Sequence, residues 1–460
     1  MKIPKILEKI AKNLEKKDIK AVIVGGVVRD YFLGVKDSKD IDIEVYNIDS
    51  LNELEDELKA FGAVNLVGKS FGIIKLTTSE GEFDFSLPRI EKKVAKGHKG
   101  FEVTTKKDLT FKEAAKRRDF TINAMGYDIL EQKFLDPFDG KKDLEAKRLH
   151  IVDEKSFVED PLRVYRAIQF AARFEMQLSK ETFALCKTMV AREDLKELPK
   201  ERIWEEFKKL LLKAKKPSIG LKLMRDLGVL DYFLELKALI GVQQEPSYHA
   251  EGDVWTHTLM VVDEMAKLRS GDERIDSIRM LSALCHDFGK VTTTKVIDGK
   301  IRAFNHDKEG VEPTINFLKR LTNDKKLIES VSNFVLYHLR ISQLYKNRAK
   351  SAAIRRLATK ISIKELELLA RADYFGRISK DKKEHFEAGE WILQRAKELN
   401  VLTTPPKALI LGRDLIALGL KPSAEFKTIL EKAYQAQLDG AFQTKEEGLN
   451  WLKEQAFLKN

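Results

Sequence analysis

Cysteine is almost missing from this sequence: Cys186 and Cys285 are the only two among 460 residues, far apart and in no zinc-ribbon spacing. A disulfide framework is thereby excluded, and a reducing, cytoplasmic setting is expected. Proline (11) and glycine (25) are too scarce for a collagen-like or low-complexity chain, while 43% hydrophobic residues suffice for real cores. No run approaches the roughly 18 apolar residues of a membrane span. The opening MKIPKILEKIAKNLEKK is too charged for the apolar core of a signal peptide. The length, at about 150 residues per domain, suggests about three domains and makes a multi-domain enzyme the default.

What the chain does have is charge. Lys plus Arg exceed Asp plus Glu to give +11, which favours a polyanionic partner. The excess is concentrated. Between Glu329 and Glu365 no acidic residue occurs, yet Arg340, Lys346, Arg348, Lys350, Arg355, Arg356, Lys360 and Lys364 do. A solvated helix face explains such a run; without interspersed carboxylates it also suits contact with a phosphate backbone.

Periodicity divides the chain into an α/β head and a helical remainder. Ile6, Leu7, Ile10 and Leu14 share one helical face, AVIVGG reads as a buried strand entering a double glycine, and KDIDIEVYNI alternates Asp40, Asp42 and Glu44 with apolar residues, as in a strand with one polar face. Short strands are expected at 72–77 and 82–87. From about residue 156 the pattern is helical, with Ile203, Phe207, Leu210 and Leu211 in register. No fixed-period repeat occurs, so a solenoid is not expected. Lys213–Ser218 and the Pro405, Pro406 pair are the linker candidates.

Asp40 and Asp42, at i and i+2 on a strand, place their carboxylates on the same face, an expensive arrangement unless cations lie between them. Paired Mg²⁺ ions for phosphoryl or nucleotidyl transfer fit that geometry. Upstream, Gly25 and Gly26 would let backbone amides approach phosphate oxygens, with Arg29 and Asp30 following in the next helix.

GGVVRD, KDID, KRRDFTINAM (116–125), EDPLR (159–163) and LPKERIWEEF (198–207) form an ordered set that resembles the class II tRNA nucleotidyltransferases, the CCA-adding family of the polymerase β superfamily. The resemblance covers about the first 215 residues. It implies template-independent addition of CMP, CMP and AMP to tRNA 3′ ends from CTP and ATP with Mg²⁺. Carried over, Asp40 and Asp42 would hold the metals, Gly25 and Gly26 would face the triphosphate with Arg29 nearby, and Arg117, Arg118, Asp119 and Asn123 would contact phosphate and sugar. Asp84 is a candidate third carboxylate. Asp160 and Arg163 would read the incoming base, with Arg166 and Arg173 on the same helical face; Asp160 before Pro161 is equally what a capped helix start looks like. Phe170, Ile168 and Ala171 are expected in the core. Residues 89–115 form a basic connector with Gly97 and Gly100, where the family carries a loop linked to addition of the terminal A. Poly(A) polymerase, or an enzyme adding only CC or only A, is the alternative.

Farther on, His249, His257, His286, Asp287, His306, His338 and Asp373 recur through YHAEGDVWTH, ALCHDFGK, AFNHDKEG, YHLR and RADYFG. Adjacent His286 and Asp287 resemble an HD-type metal phosphohydrolase. The resemblance makes His257, His286, Asp287 and Asp373 ligands of a divalent transition metal (Ni²⁺, Mn²⁺ or Co²⁺), with His306 and His338 assisting and Lys290 neutralising the substrate. It implies hydrolysis of 2′,3′-cyclic or 2′ phosphates; an RNA-binding scaffold is the alternative. The expected architecture is α+β: a polymerase β-like head (1–140), a helical neck (141–215), an HD body (216–385) and a small helical tail (386–460). The partners expected are tRNA, CTP and ATP, with no membrane and with homo-oligomerisation left open.

Overall fold

The apolar stripe that opens the chain folds as a helix over Lys5–Glu15, burying Leu7, Ile10 and Leu14, and leads into the first strand. The computed structural model describes residues 1–35, 41–67, 72–93, 101–105, 107–379 and 383–455. It divides into two compact units, Met1–Ala214 with Ile219–Val229, and Lys215–Ser218 with Leu230–Asn460. The chain first leaves the first unit within the linker candidate Lys213–Ser218, but Ile219–Val229 returns to it and the last crossing follows Val229. Among the described residues no helix is long and apolar enough to cross a membrane.

Among the described residues the first unit carries, in chain order, β1 (Lys20–Val24), β2 (Ile41–Tyr46), β3 (Ala63–Val67), β4 (Ile73–Thr78), β5 (Gly81–Ser86), β6 (Arg89–Lys93), β7 (Phe101–Thr105), β8 (Gly126–Asp128) and β9 (Lys133–Leu135). Seven form one sheet in the order β3-β4-β5-β2-β1-β8-β9. Within it β2 and β5 run parallel while β1 pairs antiparallel with both β2 and β8. Val22, Ile23, Ile43, Val45, Ile74 and Phe85 are fully buried along these strands, as β-branched and aromatic residues on central strands should be.

Two expectations about this unit need correction. Residues 89–115 are not simply a connector: β6 and β7 pair as an antiparallel ribbon, followed by a helix at Phe111–Ala115 closed by a Thr110–Glu113 capping box. The lysines of the segment disguised its strand content; Gly97 and Gly100 lie outside the described residues. Nor is Glu44 part of an open polar face: β2 buries everything from Ile43 to Tyr46, and Glu44 is 1% exposed.

Helices Glu154–Glu159, Leu162–Phe174, Lys180–Ala191 and Lys200–Lys213 follow in the first unit, which also takes in most of Pro217–Leu227; the first two are separated at Asp160–Pro161, where proline supplies no backbone donor. Arg148–Leu149 and Gln177–Leu178 add a two-residue parallel pair, a departure from an all-helical neck. The second unit is built mainly of helices, among them Val254–Ala266, Glu273–Cys285, Val311–Leu321, Lys325–Tyr337 and Ile363–Phe375. It also contains a hairpin, Thr294–Ile297 with Lys300–Ala303. Its turn, Asp298–Gly299, has positive φ at both positions (50° and 70°), the backbone that favours Asp-Gly between two strands. Toward the end of the chain, a core around Ile354, Leu366 and Ile392 is followed by another around Ile410, Leu415 and Phe442. Pro405 and Pro406 lie between them in sequence.

Candidate active sites

In the first unit β1 ends at Val24, in register with Asp42 on β2. Gly25 follows with φ +78°, and a Cβ on it would meet Arg118 Nη1 at 3.2 Å and Asp42 Oδ2 at 3.6 Å. Glycine is therefore needed twice, for the left-handed backbone and for the close approach. Asp42 is exposed, and Asp84 on β5 is its register partner across the parallel pair, so both carboxylates lie on one face. Asp40 lies outside the described residues.

Arg117 and Arg118 both donate to Glu44 Oε1 at 2.9 Å, and the Tyr46 hydroxyl donates to Oε2 at 2.7 Å. Burial alone would raise the Glu44 carboxyl, but Arg118, Arg117 and Tyr46 hold it below its ordinary 4.5. One buried carboxylate thus fixes two guanidinium groups at the edge of the site.

Asp119 is shaped by the same opposition: burial raises it, and Arg166, Asn123 and Arg163 outweigh burial and lower it. Arg166 Nε donates to Asp119 Oδ2 at 2.6 Å, and Asn123 Nδ2 donates to Oδ1 at 2.9 Å. Asn123 Oδ1 in turn accepts from Arg29 Nη1 at 2.6 Å, and Arg29 also pairs with Asp30 at 2.7 Å. Arg29 lies over the rings of Phe170 and Phe174, 5.4 and 4.6 Å from their centroids.

At EDPLR, Asp160 Oδ1 accepts from the Leu162 N–H at 3.1 Å, which is capping, while Arg202 reaches its other oxygen at 2.9 Å. Arg163 Nη1 donates to the Ser156 carbonyl at 2.8 Å and Nη2 to the Arg117 carbonyl at 2.5 Å. Asp160 and Arg163 therefore also brace the helix start.

Gly25, Gly26, Arg29, Asp42, Arg117, Arg118, Asp119, Asn123, Asp160, Arg163 and Arg166 all line one cavity of about 450 Å³, together with Phe170, Arg173, Arg202, Lys209 and Lys213. Phe170 is buried, as expected, and lines the cavity as well. Asp84 is not in the lining. Sequence reasoning missed Arg202, although it lies in the LPKERIWEEF landmark, and Glu44, whose partners are 73 and 74 residues away. The surplus of guanidinium and ammonium groups suits a polyanionic ligand. Asp42 supplies hard oxygen ligands of the kind Mg²⁺ takes.

In the second unit helix Val254–Ala266 carries His257, the end of Glu273–Cys285 leads into His286 and Asp287, and helix Ile363–Phe375 carries Asp373. His257 Nε2 lies 3.1 Å from Asp373 Oδ1 and 3.7 Å from Asp287 Oδ2. His286 Nε2 is 3.2 Å from Asp287 Oδ2, and His306 Nε2 is 3.4 Å from Oδ1. His338 Nε2 approaches His306 Nε2 at 3.2 Å. Lys290 Nζ forms an ion pair with Asp287 at 2.7 Å.

The outward ring nitrogens are already committed. Nδ1 of His286, His306 and His338 contacts the carbonyls of Ala283, Ala303 and Val335 at 2.8, 2.6 and 2.6 Å, and Nδ1 of His257 contacts Glu251 at 3.0 Å. Three Nε2 atoms, of His257, His286 and His306, therefore converge on Asp287, with that of His338 against His306, the arrangement by which metal ligands are oriented from behind. His286 Nε2 and Asp287 Oδ2 are both buried and face each other at 3.2 Å, with Lys290 Nζ paired to the same Oδ2. His257, His286 and Asp373 form one cluster able to hold an ion; Asp287, His306 and His338 form another. This donor set fits a divalent transition metal.

Burial would raise Asp287, but His286, Lys290 and His306 hold it far below the usual carboxylate range. Burial, His306 and His286 push His338 down to about 3, a neutral imidazole with a lone pair to offer. Burial would lower His257, but Asp373 and Glu251 raise it to about 9. Glu251 was not anticipated from sequence. It binds His249 at 2.9 Å as well as His257, and accepts from the Ile378 N–H at 2.8 Å.

Comparison with known proteins matches residues 21–150 to a poly A polymerase head domain, 175–239 to a probable RNA and SrmB-binding site of polymerase A, and 254–378 to an HD domain. The chain is 36% identical over 323 residues to a multifunctional CCA protein of Neisseria meningitidis serogroup A, covering 70% of this chain and 73% of that one. It is 34% identical over 371 residues to the multifunctional CCA protein of Xylella fastidiosa strain M12, covering 78% and 84%. Its fold is similar to the Bacillus stearothermophilus CCA-adding enzyme in complex with CTP, with a TM-score of 0.66, 21% identity and coverage of 99% and 98%. It is also similar to the Thermotoga maritima CCA-adding enzyme complexed with tRNA_CCA, with a TM-score of 0.61, 21% identity and coverage of 98% and 95%.

Proposed function

The chain belongs to the multifunctional CCA protein family, and from that premise we propose that its head adds CMP, CMP and AMP to tRNA 3′ ends from CTP and ATP. One observation carries the reading: eleven candidate residues from four sequence segments line a single cavity rich in arginine and lysine. Asp42, with Asp40 and Asp84 as its candidate companions, would hold Mg²⁺. When bound, the ion supplies charge neutralisation at the triphosphate and acidity at the attacking hydroxyl.

Arg117 and Arg118, held by Glu44, bind the phosphates. Asn123 and Asp119 position the sugar side through the Arg29 and Arg166 links, and Asp160 and Arg163 present acceptor and donor groups to the base. Incubating the protein with tRNA that ends before the CCA and with labelled CTP and ATP tests this directly. Incorporation of AMP alone in long tracts would favour poly(A) synthesis.

We further propose that the second unit is a phosphohydrolase for 2′,3′-cyclic or 2′ phosphates. His257, His286, Asp287 and Asp373 would hold a Ni²⁺, Mn²⁺ or Co²⁺ ion, with His306 and His338 at a second position. Such an ion, when bound, activates water toward phosphorus. The chain's own groups orient the imidazoles from behind, and Lys290 carries compensating positive charge beside Asp287. The buried free thiols Cys186 and Cys285 support a cytoplasmic setting. Hydrolysis by wild-type protein across a panel of divalent ions is the test; no hydrolysis with any ion favours the scaffold alternative.

A further inference from the structure

Next to the histidine cluster the second unit holds a pocket of about 180 Å³, whose lining includes Gln244, Tyr248, His249, Lys290, Arg302 and His306. Gln244 is 5% exposed. Its Oε1 accepts from Lys290 Nζ at 2.8 Å, and its Nε2 is buried with no hydrogen-bond partner. The orientation of this amide is dictated chemically, because an ammonium group only donates and must face the oxygen. That leaves two donor hydrogens unpaired in a buried pocket, a costly state unless an acceptor arrives from outside the protein.

The wall that carries Gln244 is fixed. Glu245 Oε2 accepts from the Ile301 N–H at 3.1 Å, tying the hairpin that bears Arg302 to the segment 243–245. Lys290 joins the pocket to the cluster, since it bonds Gln244 and pairs with Asp287 at 2.7 Å. The pocket is smaller than the roughly 300–1000 Å³ typical of whole small-molecule sites; its lining sets two cations, Lys290 and Arg302, against one carboxylate, Glu245, beside the imidazoles of His249 and His306.

We propose that this pocket is the substrate subsite of the histidine cluster: it receives a phosphate group with its attached sugar, and Gln244 Nε2 donates to a phosphate oxygen. The proposal rests on reading the second unit as a phosphohydrolase, and it makes Gln244 a specificity-determining residue. Arg302, exposed on the hairpin, supplies positive charge at the entrance.

Calorimetric titration of metal-loaded protein with inorganic phosphate tests the binding site without requiring turnover. Gln244→Met keeps the volume and removes the donor; it should weaken phosphate binding by about tenfold and raise KM for 2′-AMP with kcat nearly constant, at unchanged metal content. Arg302→Ala, on the surface, should weaken phosphate binding without affecting the fold. Failure of the wild-type protein to bind phosphate, or wild-type affinity in both variants, overturns the subsite. Phosphate binding that is weakened by both variants, in a protein that hydrolyses no phosphate ester with Ni²⁺, Mn²⁺ or Co²⁺, retains the subsite and overturns the phosphohydrolase reading alone.

Discussion

At the scale of single residues, Glu44 shows how one buried carboxylate organises a site built for anions. It compensates Arg117 and Arg118 at 2.9 Å each, so removing it leaves two guanidinium groups without their counter-charge. Glu44→Ala should destabilise the head by roughly 3–5 kcal/mol, read by denaturant unfolding. Because the folded-state carboxyl is held below its ordinary 4.5, its contribution to stability is complete above that value and is lost as pH falls through the folded pKa. Glu44→Gln should therefore flatten the dependence of stability on pH in the range below about 4.5. An unchanged acid profile would mean that Glu44 is not the ionised anchor. The alternation of β2 made Glu44 visible as polar, but nothing local showed that it was buried. Its arginine partners come from a turn more than seventy residues away.

Glu251 is the counterpart in the second unit. Its carboxylate accepts from Nδ1 of His257 and of His249 and from the Ile378 backbone N–H. Glu251→Ala should lower affinity for the divalent ion by roughly 10–100-fold, measured by competition with a chelator, while Glu251→Gln retains part of it. Metal affinity equal to wild type in Glu251→Ala would remove its positioning role.

At the scale of elements, EDPLR braces a helix start and also lines the cavity, so the base-reading role proposed for it has to be separated from bracing by mutation. Asp160 caps the Leu162–Phe174 helix through the Leu162 N–H and is held by Arg202 from the Lys200–Lys213 helix. Arg163 ties both Ser156 and the Arg117 carbonyl to the helix start. Arg163→Ala should thus lose both thermal stability and discrimination among CTP, ATP and UTP. Lowered stability with unchanged selectivity would assign it to bracing alone.

Periodicity showed β1, β2, β4 and β5 of the head and the helix start at Pro161, but not β3 or β6–β9. Nor did it show the Asp298–Gly299 hairpin, because its two strands are only four residues each within an otherwise helical stretch. The acid-free window was legible as charge but not as structure. Arg355 donates to the Leu438 carbonyl at 3.2 Å and Arg356 pairs with Asp439, so both dock the Ser351–Ala358 helix against Glu425–Asp439. Phosphate contact is better tested with Lys346, Arg348 and Lys350 changed to Ala. Loss of about one unit of the salt dependence of tRNA binding per contact is expected, and an unchanged slope would place the tRNA elsewhere.

At the scale of the whole molecule, the proposed ligand sets differ in chemistry: carboxylates beside β2 and β5, Asp42 and Asp84, in one compact unit and imidazoles around Asp287 in the other. Different donors select different ions, so the reactions should separate by mutation. His286→Ala with Asp287→Ala should abolish phosphate-ester hydrolysis and leave CCA addition largely intact; loss of both reactions would mean coupled sites. A tRNA end closed as a cyclic phosphate has no free 3′ hydroxyl, so hydrolysis in one unit would prepare the substrate of the other.

The central claim concerns synthesis in the head, and it is tested most directly by the products formed on a tRNA that ends before the CCA. With CTP, ATP and Mg²⁺, wild-type protein should extend that tRNA by three nucleotides and stop. Asp42→Ala should show no incorporation while its unfolding midpoint stays close to wild type. Extension of the tRNA by Asp42→Ala at near wild-type rate, or a wild-type product other than CCA, would contradict it.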